Sequence, residues 1–112
     1  MSDVLDELVS MSRVLGDPAN DYAILGEGNT SARADGETFW VKASGTQLGR
    51  ADRESFVRVN AAPVLAVLDG SPIGDEAVKD LLKTSTVQGT RSPSIETFLH
   101  ALCLDLRGVR FV

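Results

Sequence analysis

The side chains best placed for chemistry in this 112-residue sequence are a carboxylate and an imidazole four positions apart, Glu96 and His100. On a helix that spacing sets both on one side, a single turn apart. A carboxylate near a helix start can act as a general acid or base, or can ligate a divalent metal. Quieter roles fit the same residues: Glu96 complementing the macrodipole in the first turn, and His100 packed on the flank of the helix. Glu-x-x-x-His is not a specific metal motif, and one histidine cannot build a histidine-rich site. No Ser-His-Asp arrangement can be drawn, and Cys103 falls on an apolar stripe as a packing residue.

Three short loops could supply an anion site. Gly26-Glu27-Gly28-Asn29-Thr30-Ser31 resembles a phosphate loop, but its third glycine position is Ser31 and a hairpin follows where a dinucleotide fold needs a helix. No Gly-Lys-Ser/Thr follows either, which excludes a Walker loop. What survives is a run of exposed amides with one asparagine and two hydroxyls, able to surround an anion or simply to turn between strands. Ser44-Gly45-Thr46 is a second such loop, with an ordinary turn as its plain alternative. Ser92-Pro93-Ser94 opens a helix, where free amides and the positive end of the dipole face an anion, or where the serine is only a cap.

These residues need elements to hold them. Val4, Leu5, Leu8, Val9, Val14 and Leu15 follow helical spacing, with Ser2 or Asp3 as cap and Gly16 and Pro18 as stop. Tyr22–Leu25 is expected to be a strand leading into the first glycine loop, followed by strands at 32–34 and 38–43. Asp35-Gly36 between the last two predicts a tight two-residue hairpin, since both residues tolerate positive φ. Phe56–Val59 reads as a strand, Ala61–Leu68 as a helix, and Asp75–Leu82 as a helix capped by Asp75. Thr84–Ser92 is polar and aperiodic, hence a surface loop. Pro93 suits the first turn of a last helix, whose Ile95, Phe98, Leu99, Leu102, Cys103 and Leu106 form the expected buried stripe. Val109–Val112 reads as the start of a strand.

Composition excludes several classes of function. With 11 basic and 16 acidic side chains the net charge is −5, which disfavours binding to nucleic acid and to acidic membrane surfaces. The 43% apolar content suits a folded domain, and the length allows one. One cysteine permits no internal disulfide, in keeping with a reducing cytoplasm. The acidic start does not read as a secretory signal. The longest apolar stretch, Ala61–Leu68, is too short to span a bilayer.

Taken in order, Gly26-x-Gly28-Asn29-x-Ser31-x-Arg33, then Trp40-Val41-Lys42-Ala43-Ser44-Gly45, then Pro93-Ser94-Ile95-Glu96-x-x-x-His100 resemble the class II aldolase/adducin family of sugar-phosphate aldolases and epimerases. The wording is most similar to the aldolase portion of proteins that fuse it to a short-chain dehydrogenase. The resemblance implies a three-layer α/β/α fold with a mostly antiparallel central sheet, residues 1–112 forming the N-terminal part of a single domain, incomplete at its C-terminal end. It implies phosphate contacts from Gly28, Asn29, Ser44, Gly45 and Ser94, and a proton-moving, catalytic role for Glu96, with His100 supporting it. Ile95 stands where the family's sugar-phosphate aldolases carry a second serine, so one phosphate-binding hydroxyl is lost.

The family's members use a divalent metal, usually zinc, to polarise the substrate carbonyl. Glu96 could approach that metal, and the histidine ligands are expected beyond residue 112, so this stretch alone is expected to be inactive. The implied reaction is retro-aldol cleavage of a sugar or ketose phosphate by a homo-oligomer, a tetramer in much of the family. Epimerisation and dehydration are family alternatives on the same scaffold. A non-catalytic, adducin-like binding or assembly module is the alternative from another class.

Overall fold

The computed structural model describes residues 3–17, 19, 28–68, 70 and 74–112. The strand expected at Tyr22–Leu25 lies outside them, as do Ser2 and the first residues of the glycine loop. Helix α1 spans Val4–Gly16, and its cap is Asp3, whose carboxylate accepts the Asp6 N–H at 2.9 Å. Leu5, Leu8 and Val9 are buried as the helical spacing predicts, together with Ser12, whereas Val14 of the same expected stripe is exposed.

Strands β1 (Ser31–Arg33), β2 (Thr38–Lys42), β3 (Phe56–Asn60) and β4 (Thr86–Gln88) form one antiparallel sheet in the order β1-β2-β3-β4. Its registers include Ala32 opposite Trp40 and Phe39 opposite Val59. Period-two alternation divides the core between the two faces of the sheet. On one face Phe39, Val41, Val57 and Val59 pack with Val64 of α2 (Ala61–Leu68) and with Ala101 and Leu104 of α4 (Thr97–Leu104). On the other, Ala32 and Phe56 pack with Leu5, Leu8 and Val9 of α1. Helix, sheet and helix make three layers with a mostly antiparallel centre, the architecture expected. No helix among the described residues is long and apolar enough to cross a membrane.

Several local expectations are corrected. The hairpin at Asp35-Gly36 is not a two-residue turn, and Gly36 does not take positive φ. Instead the Asp35 carboxylate accepts the N–H groups of Glu37 and Thr38 and the Thr38 hydroxyl, closing a wider loop through its side chain. The segment read as a loop at Thr84–Ser92 contains the end of α3 (Asp75–Ser85) and all of β4. It lacks an apolar period because β4 is a three-residue edge strand with Val87 and Gln88 exposed. Helix α3 begins one residue inside its Gly74 cap, so Asp75 is its first residue and not its cap.

The largest correction concerns α4. It starts at Thr97, four residues later than Pro93 suggests, with Glu96 in the cap position. Its buried residues are Thr97, His100, Ala101 and Leu104, whereas Ile95, Leu99, Leu102 and Leu106 of the expected stripe are at least half exposed. The helix is turned so that small Ala101 and polar His100 approach the sheet, and the apolar stripe faces outward. Val109–Val112 does run as an extended segment: Val112 and Ser31 exchange both backbone hydrogen bonds, at 2.7 and 2.9 Å, and Phe111 bridges Ala32.

Candidate active site

The ends of two adjacent strands deliver the first two loops. Gly28-Asn29 leads directly into β1, and Ser44-Gly45-Thr46 follows directly on β2, its neighbour in the sheet. Gly28 and Gly45 both hold positive φ, 101° and 83°, a conformation side chains disfavour, so glycine is what lets these two loops turn.

The third loop arrives by backbone pairing. Ser92 and Pro93 do not open the helix. They run alongside the end of β2, where Pro93 bridges Ala43 and the Ser44 N–H donates to the Ser92 carbonyl at 2.9 Å. Proline is tolerated there because the hydrogen bond of this pairing is made by the Ser92 carbonyl and the Ser44 N–H, so no N–H is required of Pro93. The pairing carries Ser94 and Glu96 across to the other two loops, with Ser94 Oγ 3.4 Å from Asn29 Oδ1.

Together these elements surround a cavity of about 500 Å³. Gly28, Asn29, Ser44, Gly45, Ser94 and Glu96 all line it, so the residues that the resemblance marks reach the same space, while Thr46 and Ser92 of the same loops do not line it. Leu99, His100 and Lys42 complete the lining. A second cavity of about 660 Å³, between α3 and residues 92–96, shares Ser44, Ser94 and Glu96 with the first.

The electrostatics are set by three groups. Glu96 accepts from its own backbone N–H and from the Ser94 hydroxyl, and these hydrogen bonds hold its carboxyl below the usual carboxylate range. It is therefore ionised at neutral pH. His100 is 6% exposed, and burial pushes its pKa down against the partial pull of Glu96. Its Nδ1 pairs with Ser31 Oγ at 2.6 Å. Lys42 is 3% exposed, and burial lowers its pKa too, again partly offset by Glu96.

His100 is thus packed, as its plainer reading has it, and its ring is fixed by the strand that follows the first loop. Lys42 escapes sequence reasoning as a site residue. It stands within the Trp40-Val41-Lys42-Ala43-Ser44-Gly45 motif, but a lysine at the end of a strand does not by type announce a buried position. No three His, Cys, Asp or Glu side chains gather among the described residues. Glu96 can offer one oxygen to a hard or borderline cation, but these residues do not by themselves fit a closed metal centre.

The Class II Aldolase and Adducin N-terminal domain family matches residues 6–112. Among solved structures, the N-terminal class II aldolase domain of a conserved protein from Thermoplasma acidophilum is 35% identical with a TM-score of 0.80, over 99% of this chain and 54% of that one. An L-fuculose 1-phosphate aldolase superposes with a TM-score of 0.65 at 19% identity, over 99% of this chain and 42% of that one. The L-fuculose-1-phosphate aldolase of Thermus thermophilus gives 0.60 at 20% identity, over 96% and 44%. These last two likenesses show the fold alone. The chain spans about half the length of each of these structures, and no curated protein sequence matches it. A family match across almost the whole chain, with a 35% identical aldolase domain of the same fold, places this protein in the class II aldolase/adducin family.

Proposed function

We propose that the whole protein is an aldolase that cleaves a sugar or ketose phosphate, and that residues 1–112 are the N-terminal part of its single catalytic domain. The observation that carries this reading is the convergence of three amide- and hydroxyl-bearing loops on one cavity beside an ionised carboxylate. The loop residues Gly28, Asn29, Ser44, Gly45 and Ser94 bind the anionic end of the substrate, and Glu96 moves the proton.

In the cleavage direction the hydroxyl next to the scissile bond loses its proton and becomes an aldehyde as the C–C bond breaks. The bonding electron pair stays on the other fragment as an enediolate, which takes up a proton at carbon. Glu96 carries that proton, because it is the carboxylate that lines the cavity and it is ionised, ready to act first as base. A divalent metal, zinc by resemblance, belongs to this reading of the whole protein; the residues here offer it Glu96 alone, and no step is assigned to it. Assembly as a homo-oligomer in the cytoplasm is part of the same reading.

The test is to incubate the full-length protein with ketose 1-phosphates and with the matching free ketoses and to follow aldehyde release. Cleavage of a phosphorylated ketose is the expected result. Saturable phosphate binding without cleavage of any of them would favour the adducin-like binding module instead.

A further inference from the structure

Strands β3 and β4 are antiparallel neighbours, with β3 ending at Asn60 and β4 beginning at Thr86. Two residues are enough to join such a pair. The chain instead uses residues 61–85 for the connection and builds α2 and α3 from it. Helix α2 joins the core through Val64, whereas α3 buries Leu82 and Ser85 alone. A helix that adds so little to the core has its reason elsewhere, and its place in the fold supplies one. It forms a wall of the 660 Å³ cavity.

The opposite part of that cavity is Ser92–Glu96, and Ser44, Ser94 and Glu96 line the first cavity as well. The two spaces therefore meet at the carboxylate that moves the proton. A substrate held by its anionic end in the first cavity brings its reacting carbon to Glu96. Whatever lies beyond the breaking C–C bond extends onward, and the second cavity opens there.

Its lining says what that fragment is. Val78 and Leu82, one turn apart on α3, join Pro93 and Ile95 as apolar lining. Asp75 and Asp80 balance Lys79 and Lys83, all four exposed, so α3 brings the cavity no net charge. Such a surface rewards buried carbon and gives a second anion no counter-charge. A three-carbon aldehyde has the bulk of roughly four waters at about 30 Å³ each, and would leave most of this space unfilled. We propose that α3 forms the subsite for the aldehyde released on cleavage, and selects a neutral aldehyde with an apolar chain longer than three carbons. This rests on the reading of Glu96 and the first cavity as an aldolase centre.

The test runs the reaction backwards: the full-length protein adds dihydroxyacetone phosphate to unbranched aldehydes of two to six carbons. Glu96 takes the proton from the donor carbon, that carbon bonds to the aldehyde carbon, and the aldehyde oxygen is protonated to a hydroxyl. For wild type, kcat/KM should rise with chain length by about fourfold for each methylene buried. Val78→Phe fills the cavity and Ile95→Ser removes apolar surface from it, and neither side chain is buried in the core. The ratio of kcat/KM for the six-carbon over the two-carbon aldehyde should fall in both, by about tenfold or more in Val78→Phe, as for the loss of two buried methylenes. Melting temperatures establish that the variants are folded, and if Val78→Phe is not, the ratio in Ile95→Ser decides. Wild-type addition indifferent to chain length, or a ratio unchanged in the folded variants, overturns the subsite and leaves the aldolase reading standing. Addition to none of the aldehydes by wild type overturns that reading and the subsite with it.

Discussion

Ser31 Oγ and His100 Nδ1 lie 2.6 Å apart, a buried hydrogen bond that ties the first strand to the fourth helix across 69 residues of sequence. It fixes the helix that begins beside Glu96 to the strand that follows Gly28-Asn29, so two loops of the cavity are held in register by one side-chain pair. Ser31 is fully buried. Removing the ring in His100→Ala therefore orphans a buried hydroxyl, at a cost of about 1–3 kcal/mol, before the lost packing is counted. Urea unfolding measures it.

The same histidine gives stability a pH dependence. Burial depresses its pKa below 6.5, so as pH falls through 6.5 the unfolded chain takes up a proton that the folded chain resists. Its contribution is complete above that value and declines below it, until the folded pKa is passed. Wild type should lose stability from pH 7 to pH 5.5 more steeply than His100→Gln, whose side chain does not titrate; parallel profiles would contradict the assignment.

Thr97, the first residue of α4, is fully buried, and its Oγ1 has no hydrogen-bond partner among the described residues. A buried hydroxyl left unpaired costs about 1–3 kcal/mol, and valine has nearly the same shape without it. Thr97→Val should therefore raise stability by about 1–2 kcal/mol, a gain read directly from the denaturation midpoint. A destabilised variant would show that the hydroxyl is satisfied.

What the sequence disclosed about this site, and what it hid, divides along a physical line. The cavity residues Gly28, Asn29, Ser44, Gly45, Ser94 and Glu96 were legible because glycines, hydroxyls and a carboxylate advertise turns and chemistry by type. The helix after Glu96 was legible as a helix but not in its orientation. Ile95, Leu99, Leu102 and Leu106 have the apolar period, yet Ala101 and His100 face the sheet, because periodicity registers hydrophobicity and not the small volume or the cross-strand partner that lets a residue approach. Strand β4 was hidden because an edge strand of three residues has no buried face to pattern. Lys42 was hidden for the opposite reason: a lysine in a strand reads as a solvent-facing position, and only the folded chain shows it enclosed by its own following turn.

Asp35 closes the β1–β2 loop by accepting from Glu37 and Thr38, and Arg58 of β3 ion-pairs with it. Those backbone and hydroxyl donors, with Arg58 behind them, bring its carboxyl down to about 2 from the usual 3.8. A depressed carboxylate stabilises the fold above pH 3.8 and loses that effect as pH falls from there towards 2. Asp35→Asn should be less stable than wild type at pH 7, and the gap should close on acidification across that window. Thermal melts of both proteins at about pH 7, 4 and 2 check it, and a gap that persists at the acid end would contradict it.

The central claim is that Glu96 moves the proton at a cavity whose loops hold the substrate's anion. The direct measurement is the turnover of the full-length protein with a cleavable ketose phosphate, wild type against Glu96→Gln. Glutamine keeps the size and the acceptor for the Ser94 hydroxyl but cannot take a proton. We expect kcat to fall by about 10²–10⁴-fold, with unfolding nearly unchanged. Wild-type turnover in a folded Glu96→Gln protein would contradict the account.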